Sequence, residues 1–102
     1  MTRIVVLFNL KPQIDPSEYE EWARKTDIPI VNALSSVSSF TVHRSSGLLG
    51  SDAAPPYQYV EVIDVSDMET FGGEVGTDTM RQVAAEFQRF ADQPQFLLTE
   101  DL

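Results

Sequence analysis

The sequence predicts an α+β domain whose elements follow the order βαββαβ. Three observations carry this expectation. Segments rich in β-branched and aromatic residues, RIVVLFNL (3–10), VSSFTVHRSSGLL (37–49) and YQYVEVIDV (57–65), read as strands, and 95–100 reads as a fourth. Helix-start signals, Asp15-Pro16-Ser17-Glu18 and Ser66-Asp67-Met68-Glu69, open the two intervening helical regions. The chain of 102 residues is long enough for one modest core, with a folded surface of about 6,000 Å² against roughly 16,500 Å² extended. A single domain over 1–102 is therefore expected.

The first strand is apolar on both parities, Val5 and Leu7 on one face and Ile4, Val6 and Phe8 on the other. A half-solvated strand would alternate, so this one calls for cover on both sides. In the first helix Asp15 can cap, Pro16 suits the first helical position, and Ile14 with Tyr19 forms a hydrophobic staple. Tyr19, Trp22 and Ala23 fall on its apolar face. Pro29 is expected to break or kink the helix, with Asp27 capping a second short turn through Ile30, Val31 and Leu34.

The second strand sets Phe40, Val42 and Arg44 on one face and Thr41, His43 and Ser45 on the other. A turn-rich loop over 47–56 leads to the third strand, where Tyr57, Tyr59 and Glu61 share one face and Asp64 takes the opposite one. A short helix is expected to stop at Gly72-Gly73. Thr77 or Asp78 restarts a longer one with Met80, Val83, Ala84, Phe87 and Ala91 on one stripe. Two helical regions on one face of a four-stranded antiparallel sheet make a ferredoxin-like fold. The second apolar face needs a partner, and a second copy of the chain is the cheapest one. A homodimer, paired as a dimeric α+β barrel, is the expectation.

Composition narrows the function. Sixteen acids against seven bases, net charge −9, argue against nucleic acid and against anionic membrane surfaces. The absence of cysteine and the single histidine remove disulfides, thiolate catalysis, zinc ribbons, iron–sulfur clusters and a His-rich metal site within one chain. No targeting segment or membrane span is visible, so a cytoplasmic setting is expected. The glycine runs Gly47-Leu48-Leu49-Gly50 and Gly72-Gly73-Glu74-Val75-Gly76 fit no nucleotide fingerprint and read as turns.

The remaining chemistry rests on few side chains. His43 is the one group with an ordinary pKa near neutrality, a general acid or base in one reading and a surface imidazole in the other. Glu61, buried beside the Tyr59 hydroxyl, is the second candidate acid/base; alternatively it pairs with Arg44 on the neighbouring strand. Asn9 and Arg44, polar residues within apolar strands, either orient a ligand or reach solvent at strand ends. Trp22 is a pocket wall or plain core.

The segments MTRIVVLFNLKP, DPSEYEEWARKTDIP, GLLGSDAAPPYQYVEVIDVSDM, AAEFQRFAD and FLLTEDL together resemble the REDY-like HapK family across essentially the whole chain. The resemblance implies a dimeric α+β barrel and a setting in bacterial secondary metabolism, where named members belong to gene clusters for prodigiosin-type pyrrole pigments. It implies a pocket between the helices and the sheet of each subunit, and supplies no catalytic motif to place residue by residue. The combined expectation is a protein that needs no cofactor and no metal and takes a small aromatic or pyrrolic ligand. It would assist a condensation, cyclisation or dehydration by proton transfer. Glu61 and His43 are the candidate catalytic residues, and Tyr59, Arg44, Asn9 and Trp22 the candidate substrate-binding ones. The alternative is a ligand-binding or accessory subunit with no chemistry of its own.

Overall fold

In β1 (Thr2–Leu10) and β3 (Tyr59–Val65) every second side chain is buried, and this alternation sets the architecture. The computed structural model describes residues 2–102. The elements between and after these strands are α1 (Pro16–Trp22), a π-helical turn (Ala23–Asp27), α2 (Ile28–Asn32), β2 (Val37–Arg44), α3 (Met68–Glu74), α4 (Asp78–Phe90) and β4 (Ala91–Glu100). The strands form one antiparallel sheet in the order β2-β3-β1-β4. Ile4, Val6, Phe8 and Leu10 bury against the helices together with Tyr59, Glu61, Ile63 and Val65. Phe8 sits at the centre of this core, its ring 5.0 Å from Phe87, 5.5 Å from Tyr19 and 5.6 Å from Tyr59. The result is the α+β, ferredoxin-like arrangement expected from the element order. None of the helices among the described residues is long and apolar enough to cross a membrane.

Among the described residues, no helix covers the opposite sheet face. Val5 lies across from Val62 and Leu97, and Leu7 from Val60, giving a half-buried apolar stripe. The radius of gyration, 14.1 Å, exceeds the roughly 13 Å expected of a compact chain this long.

Several elements depart from the sequence expectation, each for a local physical reason. Pro29 does not break the helix. The Ile28 N–H bonds back to the Ala23 carbonyl, a π-type turn that lets the chain pass the proline and continue as α2. Asp27 consequently has helical dihedrals and caps nothing. It is turned inward and is 5% exposed. The short helix runs through Gly72-Gly73 to Glu74, because its anchor is tertiary. The Glu74 carboxylate accepts from the backbone N–H and hydroxyl groups of both Ser35 and Ser36. These four donors hold its pKa at about 2, the Ser36 hydroxyl contributing most. The cap of α3 is Asp67, which accepts from the Glu69 N–H, and Thr77 caps α4. β2 ends at Arg44 rather than Leu49, and β4 begins at Ala91. In β4 Gln93 takes a positive φ of 48°, where the register with β1 shifts between Leu7 and Asn9. Pro94 is tolerated there because β4 is an edge strand.

Candidate functional site

A cavity of about 360 Å³ opens between the sheet and the helices. Ile4 and Ile63 form part of its floor, and Met68, Phe71, Met80 and Phe87 part of its roof. Its lining is otherwise apolar except for two carboxylic acids, Asp27 from the π turn and Glu61 from β3.

Glu61 faces the cavity because β3 alternates, and its neighbours Tyr59 and Ile63 bury on the same side. It is 4% exposed, and the Tyr19 hydroxyl donates to its Oε2 at 3.1 Å. Burial pushes its pKa up to about 8; the nearby Asp27 charge adds to the shift, and the Tyr19 hydrogen bond opposes it. Burial alone raises Asp27 to about 7. Asp27 accepts no side-chain hydrogen bond from any described residue, and its oxygens reach the cavity rather than being sealed in protein. Burial, followed by the Glu61 and Asp27 charges, raises the Tyr19 phenol well above its ordinary range, so it stays a donor. Near neutral pH the pair therefore retains a proton inside an apolar cavity. This is the situation in which a carboxyl can both give and accept one.

Tyr19 also walls a second cleft of about 240 Å³, together with Glu20, Arg44 and Tyr59. Here the Arg44 guanidinium grips Glu20 through Nε at 2.7 Å and Nη2 at 2.5 Å, and the Tyr59 hydroxyl donates to Glu20 Oε2 at 2.7 Å. The hydrogen bonds from Arg44 and Tyr59 hold Glu20 at about 2. Burial, then the bond to Glu20, pushes Tyr59 up to about 12.

The six residues singled out from sequence thus separate. Glu61 is in the cavity. Tyr59 and Glu61 share a face as expected, yet the Tyr59 hydroxyl reaches outward to Glu20. Arg44 meets Glu20, not Glu61, because Arg44 pairs with Tyr59 in the sheet register and Glu61 lies two residues further along, opposite Val42. His43 is exposed on the uncovered sheet face, opposite Val60, with Nε2 2.9 Å from the Thr41 hydroxyl. Asn9 holds the 45–58 loop, donating to the Pro56 carbonyl at 3.1 Å and accepting from the Gln58 N–H at 2.9 Å. Trp22 packs on Tyr19 and Phe90 and donates to Glu86 at 2.7 Å, away from the cavity lining. Asp64 lies on the opposite face from Glu61, paired with Arg3 at 2.6 Å. Two residues of the cavity site went unselected, Tyr19 and Asp27. Their signal was spacing: 19, 23, 27 and 31 recur every fourth position, and Asp27 stands on that stripe between Ala23 and Val31. No cluster of three ligating His, Cys, Asp or Glu side chains forms among the described residues.

The family model described as HapK, REDY-like protein HapK, matches residues 2–102. The chain belongs to the REDY-like HapK family. The crystal structure of HapK from Hahella chejuensis is 32% identical, with a TM-score of 0.81 over 100% of this chain and 93% of that one. The fold is shared more widely. A dimeric ferredoxin-like protein of unknown function from Thermobifida fusca is 16% identical, with a TM-score of 0.77 over 98% of this chain and 90% of that one. SnoaB, a cofactor-independent oxygenase from Streptomyces nogalater, is 14% identical, with a TM-score of 0.76 over 98% and 91%. No curated protein matches the chain. Membership of the HapK family agrees with the resemblance carried by the sequence segments, and the two remote likenesses concern the fold alone.

Proposed function

We propose that this HapK-family chain is a small cofactor-independent protein that transfers protons on an aromatic or pyrrolic intermediate, with Glu61 as the general acid/base. The observation that carries this reading is a buried carboxyl in a cavity of ligand size whose pKa is displaced to about 8. Condensation, cyclisation and dehydration all need one proton removed and one delivered. Protonated Glu61 supplies a proton to a leaving hydroxyl or a carbonyl oxygen, and ionised Asp27 takes one up. Tyr19 fixes Glu61 Oε2, leaving Oε1 for the ligand. Tyr59, Arg44 and Glu20 act as positioning residues, clamping α1 against the edge of the sheet from which Glu61 projects. His43 stands outside this machinery. Bacterial secondary metabolism of the prodigiosin or pyrrole type, in the cytoplasm, is the setting that family membership favours.

The test is a screen of pyrrolic and aromatic aldehydes and ketones for accelerated condensation or carbon-bound hydrogen exchange. Glu61→Gln should lower the rate about 10²–10⁴-fold, and His43→Ala should leave it within twofold. Tight binding without acceleration by the wild type would support a ligand-binding or accessory role with no chemistry.

The homodimer belongs to the same proposal. The stripe of Val5, Leu7, Val60 and Val62 offers an apolar surface for a second copy, and a face-to-face pair of sheets would complete the barrel. Light scattering should report twice 11.4 kDa for the wild type and a monomer for Val62→Lys. A monomeric wild type at micromolar concentration would sink the dimer.

A further inference from the structure

We propose that the cavity selects a cationic or basic nitrogen on an aromatic ligand, which pairs with the Asp27 carboxylate that shares the cavity with Glu61. This rests on the cavity being the ligand site and adds the charge class that it accepts.

Charge is the first support. Two acids share the cavity, and no Lys, Arg or His lines it. Four of the chain's seven basic residues pair with carboxylates elsewhere: Arg3 with Asp64, Arg24 and Arg44 with Glu20, and Lys25 with Glu21. Buried carboxylates normally have a cation or several donors. Asp27 has neither, and Glu61 has one phenol. An anion here would face two acids with no compensating charge, at a large desolvation cost. A cation would satisfy both.

The second support is the shape and chemistry of the walls. Phe40, Phe71, Phe87 and Phe96 line the same space. Aromatic faces carry negative quadrupole density and attract cations in a desolvated setting. Those rings also match a flat aromatic body.

The third support is the set of groups that face the pair. α1 contributes Tyr19, the π turn Asp27 and β3 Glu61; Tyr59 lies behind Tyr19, engaged with Glu20. The lining residues from β1, β2, α2, α3, α4 and β4 are all apolar. No other titratable lining group can absorb the charge change. When a protonated nitrogen enters, it pairs with ionised Asp27 while Glu61 keeps its proton, and below pH 7 the proton on Asp27 is released to solvent. When a neutral base enters, the proton moves from carboxyl to nitrogen and the same ion pair results without release.

Three naphthalene probes of one shape test this by calorimetry: 1-naphthylmethylammonium, 1-naphthylmethanol and 1-naphthoate. The ammonium should bind at least about tenfold tighter than the alcohol, and the carboxylate should not bind detectably. Ammonium affinity should weaken by up to about tenfold per pH unit below pH 7, a one-proton linkage. Titrations in two buffers of different ionisation enthalpy should report up to one proton released. In the Asp27→Asn/Glu61→Gln double variant the preference should vanish while the alcohol still binds, which also shows that the variant folds. Equal or tighter binding of the alcohol or the carboxylate by the wild type would overturn the charge preference and leave the cavity as a ligand site. A preference that survives in the double variant would overturn the role of the pair. If none of the three probes binds, the cavity reading fails and the charge preference falls with it.

Discussion

Two tyrosine–glutamate pairs join α1 to β3, and they are built crosswise. Tyr19 of α1 donates to Glu61 of β3, and Tyr59 of β3 donates to Glu20 of α1. The residue types and the bond are the same, yet Glu61 sits at about 8 and Glu20 at about 2. A single phenol bond stabilises a carboxylate in both places, so it cannot be the cause of the difference. Glu20 has the Arg44 guanidinium and lies near solvent, with its side chain 14% exposed. Glu61 is enclosed by aliphatic and aromatic side chains, and the nearest charged neighbour is another acid. Burial without a cation makes a proton carrier, whereas a cation at the surface makes a clamp.

The largest effect that would break this contrast lies in stability against pH. Asp27 and Glu61 have folded pKa values raised above their unfolded ones. Their contribution is fully present below about pH 4 and is lost as pH rises through 7 to 8. Glu20 and Glu74 have lowered values, so theirs is present above about pH 4.5 and lost as pH falls towards 2. Wild-type stability should therefore be greatest near pH 4–5 and fall by a few kcal/mol towards pH 8.5, each pKa unit being about 1.4 kcal/mol. Urea unfolding at pH 5 and 8.5 checks this. Asp27→Asn/Glu61→Gln should flatten the decline and be the more stable form at pH 8.5. A wild type equally stable at both values would remove the buried pair from the account.

A smaller effect sharpens the same contrast by giving the inner pair the cation that it lacks. Ala84 borders the cavity on an exposed turn of α4, so Ala84→Lys places an ammonium near the acids without disturbing the core. Carboxyl carbon shifts followed by NMR should show Glu61 titrating at least about one unit lower. No displacement would mean that solvent, not the missing cation, sets its value.

The smallest effect concerns the outer pair. Arg44→Met should return Glu20 towards the usual carboxylate range and leave stability nearly unchanged, since the pair is largely exposed on the arginine side. Glu61 should titrate unchanged in that variant. A shift there would show that the two pairs are coupled through Tyr19 and Tyr59.

Much of the site's framework was legible in residue order. Period-two spacing placed Glu61 and Tyr59 on one face of β3 and Asp64 on the other, and only the packing of the helices made the first face the inner one. Apolar residues on both parities of β1 marked a sheet with two apolar faces. Asp27 was hidden because it reads as a helix cap ahead of a proline. Nothing local reveals that a π turn will carry the helix past Pro29 and leave the acid pointing inward. Tyr19 reads as one half of a hydrophobic staple, and its hydroxyl acquires a role only when β3 arrives beneath α1.

By itself the sequence determined the α+β element order, the faces of the strands, the capping at Asp15 and Thr77 and the HapK-family resemblance. These follow from backbone periodicity and short-range hydrogen bonding, which act over a few residues. Tertiary structure alone decided which carboxylate meets which cation. Strand register put Arg44 beside Glu20 and two residues away from Glu61. Burial, which depends on every element at once, then turned one glutamate into a fixed anion and the other into an acid that holds its proton near neutrality.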